Sequence, residues 1–214
     1  MIYEWKHGDY NRVRDLFTNH QNARAIVLSA LEHNRGKLWV DNNIKPTTAR
    51  LLVGFMNFFA GDSSINAARE MIKQVKAMDT LMAPTEDWNT LIRDVWKDRL
   101  EVHVRTRFSA DSLNIKYLRS LRDGLEEKFK LERVDLDTIK HLDKRQNMHI
   151  PIFFGSSTDF IDRGIGFCIK HEGKVVSIAS TFTPFIDEFE IQVMTNDDSR
   201  YRRKGLATVV SAAL

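Results

Sequence analysis

Four cations, Arg200, Arg202, Arg203 and Lys204, stand directly before the run Gly205-Leu-Ala-Thr-Val-Val-Ser-Ala-Ala-Leu214, which reads as the start of an apolar helix. The first amides of a helix have no intrahelical acceptor and lend that end partial positive charge. Cations are disfavoured there unless an anion is expected, and a phosphate is the simplest anion for oriented amides to hold. Gly205 and Ala207 keep the main chain bare where a ligand would approach. The pattern is Arg202-x-x-Gly205-x-Ala207. Just upstream, residues 188–195 alternate Phe189, Ile191 and Val193 against Glu190, Gln192 and Met194, which puts Glu190 and Gln192 on one face of a strand.

These residues need a scaffold, and the chain supplies one in order. Val13, Leu16 and Phe17 share a helical face within residues 9–18, and Asn22 is a candidate cap for a second helix carrying Ile26, Val27 and Ala30. A short strand is expected at 37–41, and the apolar run 50–59 reads as one buried strand ended by Gly61-Asp62. Ser63 or Ser64 would cap a helix with Ile65, Ala68, Ile72 and Val75. Pro84-Thr85-Glu86-Asp87 opens another, with Trp88, Leu91, Ile92 and Val95 as its apolar face. Strict alternation over 101–108 predicts a half-buried strand with Val102, Val104, Thr106 and Phe108 inward. A helix near 113–121 ends at Gly124, where a domain boundary is placed.

Beyond it come a strand (129–134), a helix (136–142) and an irregular stretch through 148–162. A hairpin then turns at His171-Glu172-Gly173, between strands 164–170 and 174–182. The fold class is mixed α/β, with a mostly antiparallel sheet and flanking helices: residues 1–124 form an N-terminal α/β domain and 125–214 a second one. A loose echo between the halves, Gly36-Lys-Leu-Trp-Val against Gly173-Lys-Val-Val-Ser, fits either a duplication or a coincidence.

Composition narrows the function. The formal net charge of +3 suits a polyanionic small molecule as well as nucleic acid, and no long Lys/Arg tract supports the latter. The longest apolar run is too short to span a bilayer, and the start lacks the features of a signal peptide. One cysteine, Cys168, forbids an internal disulfide and fits a cytoplasmic protein; among apolar neighbours it reads as core. His103, His141, His149 and His171 lie in separate segments without metal-ligand spacing, so no metal site is expected. Trp5, Trp39, Trp88 and Trp96 read as core or interface residues.

The segment 188–214 resembles the acyl-CoA-binding region of the GNAT acetyltransferase superfamily, whose signature Arg/Gln-x-x-Gly-x-Gly/Ala is matched by Arg202-Arg-Lys-Gly205-Leu-Ala207. The hairpin strands resemble the second and third strands of such domains and the Glu190 segment the fourth. The whole chain resembles a two-domain branch that includes zwittermicin-resistance-type proteins, which leaves the N-terminal domain open to being GNAT-like itself. The resemblance implies acetyl-CoA as cosubstrate. Its pyrophosphate would lie on main-chain amides of Arg203, Lys204, Gly205, Leu206, Ala207 and Thr208, and its pantetheine arm along Val193, Met194 and Thr195. It also makes Glu190 the first candidate for the group that takes the acceptor amine's proton, with Glu188 and Asp187 as alternatives. Two or more extra residues separate Thr195 from Gly205 relative to the usual family spacing, so Asn196-Asp197-Asp198 is expected to form a wider loop.

GNAT domains continue past this helix with a further strand and helix. The expectation is therefore a fragment, poorly active by itself, or a sheet completed by a second copy in a homodimer. The reaction implied is direct transfer of acetyl to a small-molecule amine, with no membrane or nucleic-acid partner. The rivals are a non-catalytic CoA-binding protein and a nucleic-acid binder using Arg200–Lys204 with Arg119 and Arg122.

Overall fold

The computed structural model describes residues 1–6, 8–104, 109–184 and 188–214. They fall into two compact units, Met1–Arg107 and Phe108–Leu214. The division comes before the helix Ile115–Asp123, earlier than the 124/125 boundary expected from Gly124.

The first unit runs β1 (Tyr3–Glu4), a 3-10 segment (Tyr10–Phe17), α1 (Arg24–Glu32), β2 (Lys37–Val40), β3 (Thr48–Val53), β4 (Met56–Gly61), α2 (Asn66–Lys73), β5 (Thr80–Met82) and α3 (Glu86–Trp96). Strands β1 to β4 pair antiparallel in sequence order, and β5 joins β4 in parallel. The run 50–59 is thus two strands, where one had been expected. Gly54, at φ +61°, turns the chain so that Val53 pairs with Met56. Both strands are buried on both faces, so no alternation marks the turn in the sequence. Two caps also differ. Ala23 rather than Asn22 precedes α1, and Ile65 precedes α2, because Asp62 captures the Ser64 amide and hydroxyl at 2.8 and 2.7 Å. Residues 101–104 form no strand, and Val102 and Val104 are 59% and 91% exposed: alternation cannot bury a face when no neighbouring strand pairs with it. Thr106 and Phe108 lie outside the described residues.

The second unit contains α4 (Ile115–Asp123), β6 (Lys130–Arg133), α5 (Leu136–Lys140), α6 (Lys144–Asn147), a π-helical turn (Ile150–Phe154), α7 (Ser157–Arg163), β7 (Gly166–His171), β8 (Lys174–Thr181), β9 (Ile191–Thr195) and α8 (Leu206–Ala213). Strands β6 to β9 form an antiparallel sheet in sequence order. The stretch 148–162 is helical, not irregular. Pro151 sits in the first turn, where a missing N–H is harmless, and Ser156 caps α7 by accepting from the Asp159 amide at 3.0 Å. Helix α8 lays Leu206, Val209 and Val210 on the sheet face bearing Ile169 and Ala179. The helical stretch 144–163 covers the other face. The two units repeat one succession: strand, helical segments, three antiparallel strands, helix.

Among the described residues each unit buries one histidine, His20 and His149, whose pKa desolvation lowers from 6.5 to about 4. A histidine kept neutral in the fold makes its full contribution above pH 6.5, and that contribution is lost as pH falls toward 4, because only the unfolded chain gains the proton there. Denaturant titrations from pH 7 to pH 4 should therefore show stability falling by an amount on the order of 1–3 kcal/mol per histidine. Replacing His20 should flatten part of that slope.

Candidate functional site

The turn before α8 has the main-chain geometry of an anion cradle. Gly205 is the N-cap residue at φ +74° and offers no side-chain cap, and Arg203 is also left-handed at φ +57°. Left-handed residues in such a turn aim neighbouring amides to one side, beside the uncapped amides of the first helical turn at Leu206, Ala207 and Thr208. A Cβ built on Gly205 meets nothing within 4 Å, so the space above the turn is open. Below it the turn is anchored: Tyr201 is buried, packs in the core with Leu206, and its hydroxyl lies 3.2 Å from His171 Nδ1.

The side-chain cations are less available than the sequence implies. Arg200 grips Asp198 through two contacts at 2.9 and 2.7 Å, which hold that carboxyl below the usual range. Arg202 pairs with Asp197, which Arg145 of α6 also reaches at 2.6 Å. The loop between β9 and α8 carries two aspartates that shield two of the four cations. Arg203 and Lys204 are exposed. A cavity of about 160 Å³ beside the loop is lined by Arg145, Gln146, Met194, Thr195 and Asp197, among others.

Strand β9 lies at the end of its sheet, and among the described residues no strand covers its outer edge. The Phe182 amide donates to Glu190 O and the Asn196 amide to Val176 O, both at 2.8 Å. Pairing therefore commits the polar groups of Glu190, Gln192 and Met194 to β8 and turns those of Ile191, Val193 and Thr195 to the open edge. Val193 and Thr195 have main chain to offer a ligand. Met194, expected to share that role, has only its side chain. Glu190 is half-buried on the same face as Gln192, and Asp187 lies outside the described residues.

Cys168 is fully buried and its thiol is pushed up to about 11 by desolvation, the surroundings of a core residue rather than of an activated nucleophile. His149, which has no metal-ligand spacing in the sequence, lies 3.1 Å from Ser180 on the Glu190–Gln192 face. No periodicity pointed to it, because its partner is thirty-one residues away. Among the described residues no cluster of three or more His, Cys, Asp or Glu is placed to hold a metal, and no helix is long and apolar enough to cross a membrane.

The family model for GNAT acetyltransferase matches residues 14–214. An uncharacterized N-acetyltransferase of Bacillus subtilis (strain 168), YdfB, is 27% identical over 222 aligned residues, spanning 99% of this chain and 82% of the relative. A crystal structure of a GCN5-related N-acetyltransferase-like protein from Streptococcus suis 89/1591 superposes with a TM-score of 0.81 at 27% identity, over 96% of this chain and 82% of that one.

Proposed function

Because the chain belongs to the GNAT acetyltransferase family, we propose that it transfers an acetyl group from acetyl-CoA to the primary amine of a small molecule, by direct attack within a ternary complex. The observation that carries this reading is the left-handed, uncapped Gly205 turn at the end of the loop that leaves a strand with an open edge. The turn suits a diphosphate, and the edge groups of Val193 and Thr195 suit an extended amide-bearing arm. Acetyl-CoA, when bound, supplies an activated thioester. Everything else falls to the chain. The edge-facing amide of Val193 is a donor for charge developing on a carbonyl oxygen. Glu190 holds the proton that the attacking amine must lose, directly or through a water. The single, buried cysteine suits work in the reducing cytoplasm. Two units in succession support a place in the zwittermicin-resistance-like branch.

The test is thiol release from acetyl-CoA with a panel of polyamines, aminosugars and amino acid amides. Glu190→Gln is expected to lower kcat/KM by about 10²–10⁴-fold while leaving acetyl-CoA affinity unchanged. Full activity in that variant would remove Glu190 from the role. Tight acetyl-CoA binding by the wild-type protein without turnover on any amine would favour a non-catalytic CoA-binding protein.

A further inference from the structure

His149 is only 1% exposed, and the hydrogen-bonding capacity of its ring is half used. Nε2 lies 3.1 Å from Ser180 Oγ, whereas Nδ1 is shut away from solvent without a partner. The ring stacks on Phe182 at 5.9 Å and meets Phe154 and Phe160 edge-on at 6.4 and 6.1 Å. An unmatched buried polar atom costs stability, so its presence calls for a reason.

The first unit supplies a comparison from within the molecule. His20 occupies a comparable place in the repeated succession, among the helical segments ahead of the helix that leads into three strands. It too is buried beside phenylalanines, but its Nε2 meets the main-chain oxygen of Phe59 in β4 at 2.6 Å. That contact is a brace between helix and strand. His149 instead meets a side-chain hydroxyl on β8.

What lies next to that hydroxyl gives it a use. Ser180 pairs with Gln192 across the strands and so shares its face. Phe182, held by the imidazole stack, uses its amide to bind Glu190 O at 2.8 Å. His149 therefore reaches both ends of the Glu190–Gln192 face, one through a hydroxyl and the other through a ring. Orphaned N–H groups are rarer than under-satisfied acceptors, so the favoured tautomer carries its proton on Nε2 and donates it to Ser180. Ser180 then accepts that hydrogen bond on the face it shares with Gln192. Burial holds the pKa at about 4, so the ring stays neutral at physiological pH and takes no proton from the amine.

We propose that His149 is a positioning residue for the acetyl transfer, holding the Glu190–Gln192 face of β9 through Ser180 and Phe182. The proposal rests on the acetyltransferase reading. The proton passes from amine to Glu190, and His149 fixes where Glu190 stands.

The experiment measures kcat and KM with the best amine of the panel, acetyl-CoA affinity and Tm for five proteins besides wild type: His149→Phe, His149→Gln, Ser180→Ala, the His149→Phe/Ser180→Ala double variant, and His20→Leu as a control. Displacing the catalytic carboxylate should cost His149→Phe about 10–100-fold in kcat, with acetyl-CoA affinity unchanged. Gln, which keeps an N–H within reach of Ser180, should restore most of the loss. Ser180→Ala should match the Phe variant, and the double variant should lose nothing further. His20→Leu should lower Tm while sparing kcat. Wild-type kcat in His149→Phe, no rescue by Gln at equal Tm, or a kcat loss in His20→Leu of the same size would overturn the proposal. Independently of folding in the variants, ¹⁵N imidazole shifts of the wild-type protein should show the Nε2–H tautomer, and an Nδ1–H tautomer would overturn it. A wild-type protein inactive on every amine would instead overturn the reading beneath it.

Discussion

Gly205→Val is expected to weaken acetyl-CoA binding by about 10–100-fold while lowering stability by only about 1–2 kcal/mol. Gly205 sits at φ +74°, where a β-branched residue is a genuine outlier. Because a Cβ there would meet nothing within 4 Å, the loss of stability is confined to backbone conformation. The same open space is where a diphosphate would lie against the amides, so a branched side chain removes ligand room and tilts the donors together. Gly173 provides the control. It has φ +76° and equally open surroundings, but it lies in the β7–β8 turn. Gly173→Val should cost comparable stability and leave affinity intact. Calorimetric titration with acetyl-CoA and thermal denaturation of both variants check this, and equal affinity losses would sink the cradle.

The same contrast explains how much could be read beforehand. The β7–β8 hairpin, the strand before the basic turn and the helix after it were legible because each is marked locally: Glu172-Gly173 for the turn, alternation for β9, small and apolar residues for α8. The cations before Gly205 showed the direction of the electrostatics. Their pairing with Asp197 and Asp198 was hidden, because the alternation of charge along a loop does not say which side chains fold back. The hairpin at Gly54 was hidden for another reason. Strands buried on both faces carry no period, and the run of apolar residues on either side of one glycine looks continuous. Conversely, residues 101–104 alternate well and form no strand, since a sheet needs a neighbour as well as a pattern. His149 belongs to neither case: only tertiary structure brings a lone histidine to a serine on a distant strand.

Trp88→Ala is expected to destabilise the first unit by about 3–5 kcal/mol and to leave acetyl-CoA binding at one molecule per chain. Trp88 is 1% exposed in the first turn of α3, stacked on Phe59 at 5.2 Å, with its Nε1–H donating to Gly61 O at 3.0 Å. The parallel pairing of β4 with β5 stops at Phe58 and Met82. From Phe59 onward no strand among the described residues lies on that edge of β4, the counterpart of the open edge of β9 in the repeated succession, and here His20 meets the main-chain oxygen of Phe59 and the Trp88 indole that of Gly61. The turns differ to match. After β4 comes Asp62, an anion, whose side chain already binds the Ser64 amide. Gly61 is also left-handed, but a Cβ on it would collide with the main-chain oxygen of Thr47, so its role is close strand packing rather than ligand space. The first unit thus keeps the succession of elements with a turn after β4 that is built around an anion and closed by strand packing. Thermal denaturation of Trp88→Ala should show an earlier transition, while titration still gives one acetyl-CoA per chain at wild-type affinity. A second site appearing in the variant would show that the indole alone had kept the first unit closed.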